Sequence, residues 1–236
     1  MTQQSAGTDR WRAESERLEH LTFPDEIARA RLIAQWAVET FGDELVLTAS
    51  FQDAVMISLL RSVKSDIEVV YLDTQYSFPE TIAYRDELTK KLHLNLRVVE
   101  PQVEKGEQFL LDVGTDACCN ARKVQPLQRV LNGKAAWLSG IRRVETPERA
   151  DTPLVAWNTK WNLVKISPIA TWSDDDVERY QRDNDLPIHP LTIPNPETGL
   201  VYSSIGCEPC TLPFRPGENA RTSRWNGEKT ECGLHV

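Results

Sequence analysis

Short apolar runs alternate with helix-length amphipathic stretches through most of this chain. Residues 25–41 place Ile33, Trp36, Ala37 and Phe41 at helical spacing, which predicts an amphipathic helix. Residues 45–49 read as a short apolar strand, and 54–60, rich in Val, Met, Ile and Leu, as a helix. Residues 67–72 form a second strand. A helix opens at Pro79, a residue tolerated in a first turn, and carries Tyr84, Leu88 and Leu92 on one face. Residues 94–99 alternate as a third strand, 122–131 should be helical, 135–139 form a further strand and 162–169 another.

Strands alternating with helices of this length predict an α/β fold, a mostly parallel sheet with helices on both faces. Ligands of such sheets bind beyond the carboxyl ends of the strands. Three strand ends here carry polar turns, at residues 50–53, 73–75 and 139–143, and are expected to share one crevice. Ser173, followed by Asp174, Asp175 and Asp176, looks like a helix start, with Ser173 as the cap and the acids at the positive end; that triplet is read as structural.

The two ends of the chain differ from its middle. Residues 1–20 are polar and charged, expected to be a flexible arm or short helix. Beyond Asp185 periodicity fades, and half of the 14 prolines fall there. Residues 186–236 are therefore a loop-rich segment within what is read as a single domain, 1–236. A segment like that inside a compact protein is usually functional or needs a staple.

Composition narrows the class. Hydrophobic residues at 40% and charged residues at 26% suit a soluble globular protein, and no apolar run approaches a membrane span. The start of the chain lacks the apolar segment of a secretory signal, so a cytoplasmic protein is expected, one that does not engage a membrane. A net charge of −8 argues against nucleic-acid binding. Against that background, residues 117–143 hold six basic residues (Arg122, Lys123, Arg129, Lys134, Arg142, Arg143) and no acidic one. Such an island points to a local anion site.

Five cysteines supply the candidate chemistry. Cys118 and Cys119 are adjacent, Cys207 and Cys210 form a Cys-x-x-Cys, and Cys232 stands alone near the end. Four thiolates grouped two and two suit one soft metal centre. Iron–sulfur and zinc both remain open from the spacing, although zinc sites more often use two Cys-x-x-Cys knuckles. A metal joining the pairs would close a loop of 88 positions between Cys119 and Cys207 and fix the loop-rich segment. Cys232, a spare thiol near the chain end, is a candidate nucleophile, although taken by itself it reads first as an inert tail residue.

Four separated motifs carry a resemblance: Cys118-Cys119-Asn120-Ala121-Arg122-Lys123, Gly206-Cys207-Glu208-Pro209-Cys210-Thr211, Arg221-Thr222-Ser223-Arg224-Trp225 and Glu231-Cys232-Gly233-Leu234-His235. In this order the chain resembles the assimilatory sulfonucleotide reductases, and among them the iron–sulfur adenylyl sulfate (APS) reductases. The resemblance implies a Rossmann-like fold and a 4Fe-4S cluster held by Cys118, Cys119, Cys207 and Cys210. It further implies a catalytic Cys232 that takes sulfite-level sulfur from APS, and thioredoxin or a similar dithiol as reductant. Positions matching the family's basic residues are Lys123, Arg142, Arg143, Arg221 and Arg224. Lys123 comes four positions after Cys119, about one helical turn, and is expected to couple cluster and substrate. Ser50 is the expected phosphate binder, although the loop 49–54 lacks the glycine the family commonly carries. Asp73, at a strand end, would hold the adenosine or cap the next turn. His235, three positions after Cys232, would lower its thiol pKa or simply be solvated. Rival readings are a reductase of the 3′-phosphorylated nucleotide (PAPS) or of both, an ATP-using nucleotidyl transferase or sulfurtransferase, and a zinc-stapled binding module.

Overall fold

The structure is a computed structural model that describes residues 3–107, 109–202, 204–217, 223–227, 229, 231 and 233–234. Its elements, in chain order, are α1 (Gln3–His20), α2 (Glu26–Phe41), β1 (Leu45–Thr48), α3 (Val55–Arg61), β2 (Glu68–Leu72), α4 (Pro79–Leu92) and β3 (Asn95–Val99). They continue with α5 (Leu110–Val113), α6 (Thr115–Cys119), α7 (Gln125–Leu131), β4 (Ala136–Leu138), β5 (Val155–Asn158), β6 (Leu163–Ile166) and α8 (Asp174–Asp183). The fold is α/β, a mixed and mostly parallel sheet flanked by helices, as the alternation predicts. Among the described residues no helix is long and apolar enough to cross a membrane.

The chain forms two compact units. The first holds Met1–Ala49, Ala54–Val69 and Leu131–Leu186. In it β1 pairs parallel with β4 (Val46 opposite Trp137), β4 pairs parallel with β6 (Trp137 opposite Lys165), and β5 pairs antiparallel with β6. Buried on both faces, β1 and β4 need continuous apolar runs, which Leu45-Val46-Leu47 and Ala136-Trp137-Leu138 provide. The strand expected at 162–169 is shorter, and the residues before it form the edge strand β5, which the pattern did not reveal. Asn162 takes a φ of 54° and turns the β5–β6 hairpin instead of opening a strand.

α2 starts on Asp25, whose carboxylate accepts the Ala28 N–H at 2.8 Å, and buries Ala30, Ile33, Ala34 and Ala37. Of the flexible arm or short helix expected at the start of the chain, a helix forms: Gln3–His20 runs for 18 residues, with Trp11, Ser15 and Leu18 in a buried i, i+4, i+7 stripe. Trp11 packs on Trp36 and Phe41, with ring centroids 6.2 and 5.8 Å away. Ser15 Oγ accepts the backbone N–H groups of Leu154 (3.1 Å) and Val155 (3.3 Å), which ties α1 to the start of β5. α8 has the expected cap: Ser173 Oγ accepts the Asp176 N–H while Asp176 accepts the Ser173 N–H.

The second unit holds Ser50–Asp53, Val70–Val130 and Pro187–Val236. β3 neighbours β2, and the Asp73 N–H extends that pairing to the Val99 carbonyl at 3.0 Å. α4 opens on Pro79 and stops at His93, which adopts a left-handed φ of 47°. Tyr84 on its buried face donates to the Pro187 carbonyl at 2.7 Å, anchoring the beginning of the loop-rich segment. From there the described backbone runs as short 3-10 turns and isolated bridges, Ser77 with Cys207, Val201 with Phe214, and Thr211 with Arg224.

Candidate metal and substrate site

The tandem cysteines end α6, and the chain then widens. Residues Asn120–Val124 form a π-helical turn whose closing bond runs from the Gln125 N–H to the Asn120 carbonyl. The sequence explains the widening. Pro126 has no N–H to give the Arg122 carbonyl, and its ring would crowd a regular helix there. The helix expected over 122–131 forms, with this π-turn at its start and α7 continuing from Gln125. Within the turn Arg122 points inward and is only 1% exposed, whereas Lys123 is half-buried.

The second pair sits on a 3-10 turn, Glu208–Cys210, with Pro209 in its first positions. Thr211 braces this turn, donating to the Cys207 carbonyl at 2.8 Å and accepting the Gly206 N–H at 3.3 Å. Two further bonds fasten it to segments far away in sequence. The Glu208 N–H reaches the Tyr76 carbonyl at 2.8 Å, and the Ile205 N–H reaches Gln52 Oε1 at 2.9 Å. Arg224 closes the arrangement from beneath: Nε donates to the Cys210 carbonyl and Nη1 to the Ser204 carbonyl, both at 3.2 Å. Its guanidinium also stacks 4.4 Å from the Trp225 ring.

All four thiols line one pocket, which Arg122, Lys123 and Trp225 also line. None of the four is in a disulfide. Burial acts to raise the Cys207 thiol, but the Lys123 charge, a 3.2 Å contact with Thr74 Oγ1 and the Arg224 charge outweigh it and hold the thiol below its usual range. Cys210 goes the other way, pushed up to about 11 by burial and by the neighbouring Cys207. The two sulfurs of the Cys-x-x-Cys thus sit in environments that act on their thiols in opposite directions.

The chain matches the model of the phosphoadenosine phosphosulfate reductase domain over residues 44–213. It is 43% identical over 217 residues to an adenosine 5′-phosphosulfate reductase from Streptomyces coelicolor, covering 89% of each chain. The chain belongs to the phosphoadenosine phosphosulfate reductase domain family. Within that family it is also 41% identical over 218 residues to an adenosine 5′-phosphosulfate reductase of Mycolicibacterium smegmatis, again over 89% of each. The crystal structure of a phosphoadenylyl-sulfate (PAPS) reductase from Candida auris, a phosphate complex, matches with a TM-score of 0.71 over 90% of this chain and 98% of that one. At 23% identity that likeness speaks for the fold.

For this member of the reductase domain family, the donor set fits a soft metal centre. Four thiols from two distant pairs share one lining, with cations at hand to favour thiolates. Among the described residues no three Cys, His, Asp or Glu side chains surround a point that a single ion would fill. The fit is one of donor chemistry and shared lining.

The other residues singled out in the sequence are spread across the units. Ser50 is exposed. The next residue, Phe51, takes a φ of 57° and buries its ring edge-on to Tyr71 at 5.5 Å, so this glycine-free loop makes its left-handed step with a phenylalanine. Asp73 Oδ1 accepts the Gln75 N–H at 2.7 Å in a local turn, and its other oxygen lies 4.0 Å from Arg85. Ser50, Asp73, Lys123, Arg224 and the four metal-type cysteines belong to the second unit.

Arg142 and Arg143 belong to the first unit. Arg142 pairs with Asp174 at 2.8 Å, and Arg143 pairs with Glu19 and donates to the Thr152 carbonyl. Arg221, Cys232 and His235 lie outside the described residues. The sequence pattern did not single out Tyr76, whose carbonyl accepts the Glu208 N–H from a segment far away in sequence, so that no periodic signal marks it. Gly206 and Thr211 were visible only as the flanks of the Cys-x-x-Cys motif.

Proposed function

We propose that this chain reduces adenylyl sulfate (APS) to sulfite and AMP, using thioredoxin or a similar dithiol. The observation that carries the reading is the shared pocket: two cysteine pairs separated by 88 positions meet beside Lys123, in a chain whose relatives are named adenosine 5′-phosphosulfate reductases.

In the first step the Cys232 thiolate attacks the sulfur of APS. A sulfur–sulfur bond forms, the sulfur–oxygen bond to the phosphate breaks, and AMP leaves with the electron pair. In the second step a thiolate of the reductant attacks Cys232 Sγ of the S-sulfocysteine, and sulfite departs. The partner thiol then resolves the mixed disulfide, so the dithiol ends as a disulfide and Cys232 as a thiol.

Bringing a thiolate against a sulfate–phosphate anion costs about 4 kcal/mol for each unit charge pair at ~4 Å and an effective dielectric near 20. Lys123 offsets that locally. Arg142, Arg143, Arg221 and Arg224 are the proposed forks for the anion, Arg224 acting from its buried position, with Ser50 at the phosphate, Asp73 at the adenosine and His235 beside the nucleophile. Cys118, Cys119, Cys207 and Cys210 would hold a 4Fe-4S cluster. When bound, the cluster supplies a fixed field beside Lys123 and a staple for the loop-rich segment.

Mass spectrometry after incubation with APS and no reductant tests the reading. The expected product is a mass gain of about one SO₃ unit on Cys232, lost in Cys232→Ser. An adduct that survives the substitution removes Cys232 from its role. The name of the matching family model keeps PAPS as a second substrate. Sulfite release measured from each nucleotide separates the two.

A further inference from the structure

Arg122 carries the most deeply buried formal charge among the described residues, at 1% exposure. Its hydrogen-bond partners among the described residues are all neutral. Nη1 donates to Gln75 Oε1 at 2.7 Å and points at the Thr74 carbonyl at 3.5 Å. Nη2 donates to the Glu104 carbonyl at 2.7 Å and to the Glu107 carbonyl. Both glutamates offer their backbone oxygen to it, and among the described residues no carboxylate pairs with the guanidinium. Cζ lies 5.0 Å from the centroid of the Tyr76 ring, and Nε is buried without a hydrogen-bond partner.

A buried cation surrounded by dipoles alone is costly, and folded proteins normally place an anion nearby. The pocket Arg122 lines is also lined by the four thiols, and Arg122 stands three positions after Cys119. Four thiolates around a divalent ion, or around a doubly charged iron–sulfur core, leave a formal charge of about −2 on the assembly. Lys123 brings one cation from a half-buried position. Arg122 brings another from a place that water does not screen.

We infer that Arg122 is the buried counter-charge of the metal centre. It acts as a positioning residue whose guanidinium holds the 74–76 turn and the 104–107 loop against the tandem-cysteine turn and neutralises part of the charge the thiolates leave. The inference rests on the metal centre proposed for the four cysteines and extends it to a residue whose side chain ligates nothing. It differs from a purely mechanical clasp in one respect: its charge sets how tightly the metal is held, beyond what any single hydrogen bond contributes.

Three variants of the full-length protein, purified without oxygen, separate these possibilities. Arg122→Lys keeps the charge without the fork, Arg122→Gln removes the charge, and Gln75→Met removes one hydrogen bond alone. The readouts are metal and labile-sulfide content, metal–sulfur stretching bands, and the rate of metal loss to a chelator. Arg122→Gln should lose metal about tenfold faster than the parent and shift the stretching bands. Arg122→Lys and Gln75→Met should stay within about twofold of the parent.

Parent-like bands and loss rate in Arg122→Gln overturn the inference. So does a Gln75→Met protein as labile as Arg122→Gln, which reduces Arg122 to a clasp. If Arg122→Gln does not accumulate folded, Arg122→Lys decides: rapid loss with the charge retained counts against the proposal. Parent protein free of metal and sulfide sinks the metal centre itself, and shows this before any variant is compared.

Discussion

The Arg224 guanidinium fills the space that a side chain at Gly206 would need. A Cβ on Gly206 would fall 2.3 Å from Nη2 and 2.6 Å from both Cζ and Nη1. A surface arginine would swing away, but Arg224 is 5% exposed and held by two carbonyls and the Trp225 ring. Gly206→Ala should therefore destabilise the protein by about 1–3 kcal/mol, as overpacking does. Denaturant unfolding measures this. In an Arg224→Ala background the same substitution should cost much less, and equal costs in both backgrounds would mean the two residues do not compete for that space.

That relationship also shows where the sequence was readable. β1 and β4 were legible because burial on both faces demands unbroken apolar runs, and Leu45-Val46-Leu47 and Ala136-Trp137-Leu138 are such runs. β5 was not, because only Val155 is fully buried in this edge strand and its period-2 signal is weak. α1 was underestimated because Trp11, Ser15 and Leu18 are a thin buried stripe in a polar stretch. At the site, the cysteine pairs announced themselves by element and spacing. The groups that fix them did not, since Thr74 meets Cys207 across 133 positions and Arg122 meets Gln75 across 47. Contacts of that range leave no local pattern.

Lys123 is the second cause, after burial, acting on the Cys207 thiol, and it acts toward the thiolate. Lys123→Ala should lower kcat/KM for APS by roughly 10²–10³, the scale seen when one donor to a developing anion is removed. Lys123→Arg should recover part of that loss. Steady-state sulfite release checks both, with metal content measured alongside so that a lost centre is not mistaken for lost catalysis. Kinetics equal to the parent would leave Lys123 a bystander.

Ser15 joins α1 to β5 through one hydroxyl that accepts two backbone N–H groups. Ser15→Ala leaves buried donors short of a partner and should cost about 1–3 kcal/mol. For a chain of this size each kcal/mol lowers the midpoint of thermal unfolding by about 2–4 °C. Differential scanning calorimetry of Ser15→Ala against Glu14→Ala, whose carboxylate pairs with exposed Arg17, gives the contrast. The Glu14 variant should sit within about 0.5 kcal/mol of the parent. A Ser15 variant that melts with it would mean that α1 is held by its aromatic contacts alone.

His189 predicts how stability depends on pH. Its ring is 1% exposed and packs 5.0 Å from Tyr84. Nδ1 accepts the Leu191 N–H at 3.2 Å, which assigns the proton to Nε2 and makes Thr81 Oγ1, 3.0 Å away, its acceptor. A second proton would have to go on Nδ1, against a donor and inside the core. Burial accordingly pushes the imidazole down to about 4, with the Glu80 charge opposing weakly. The unfolded chain, near 6.5, binds that proton first, so the native state gains nothing from acid until about pH 4. Stability contributed by the neutral ring is complete above pH 6.5 and falls between 6.5 and 4, by at most about 1.4 kcal/mol per pH unit. His189→Gln keeps a donor and an acceptor and does not titrate in this window, so its unfolding free energy should lose this component of the slope. Parallel slopes for parent and variant between pH 6.5 and 4.5 would place the acid sensitivity elsewhere.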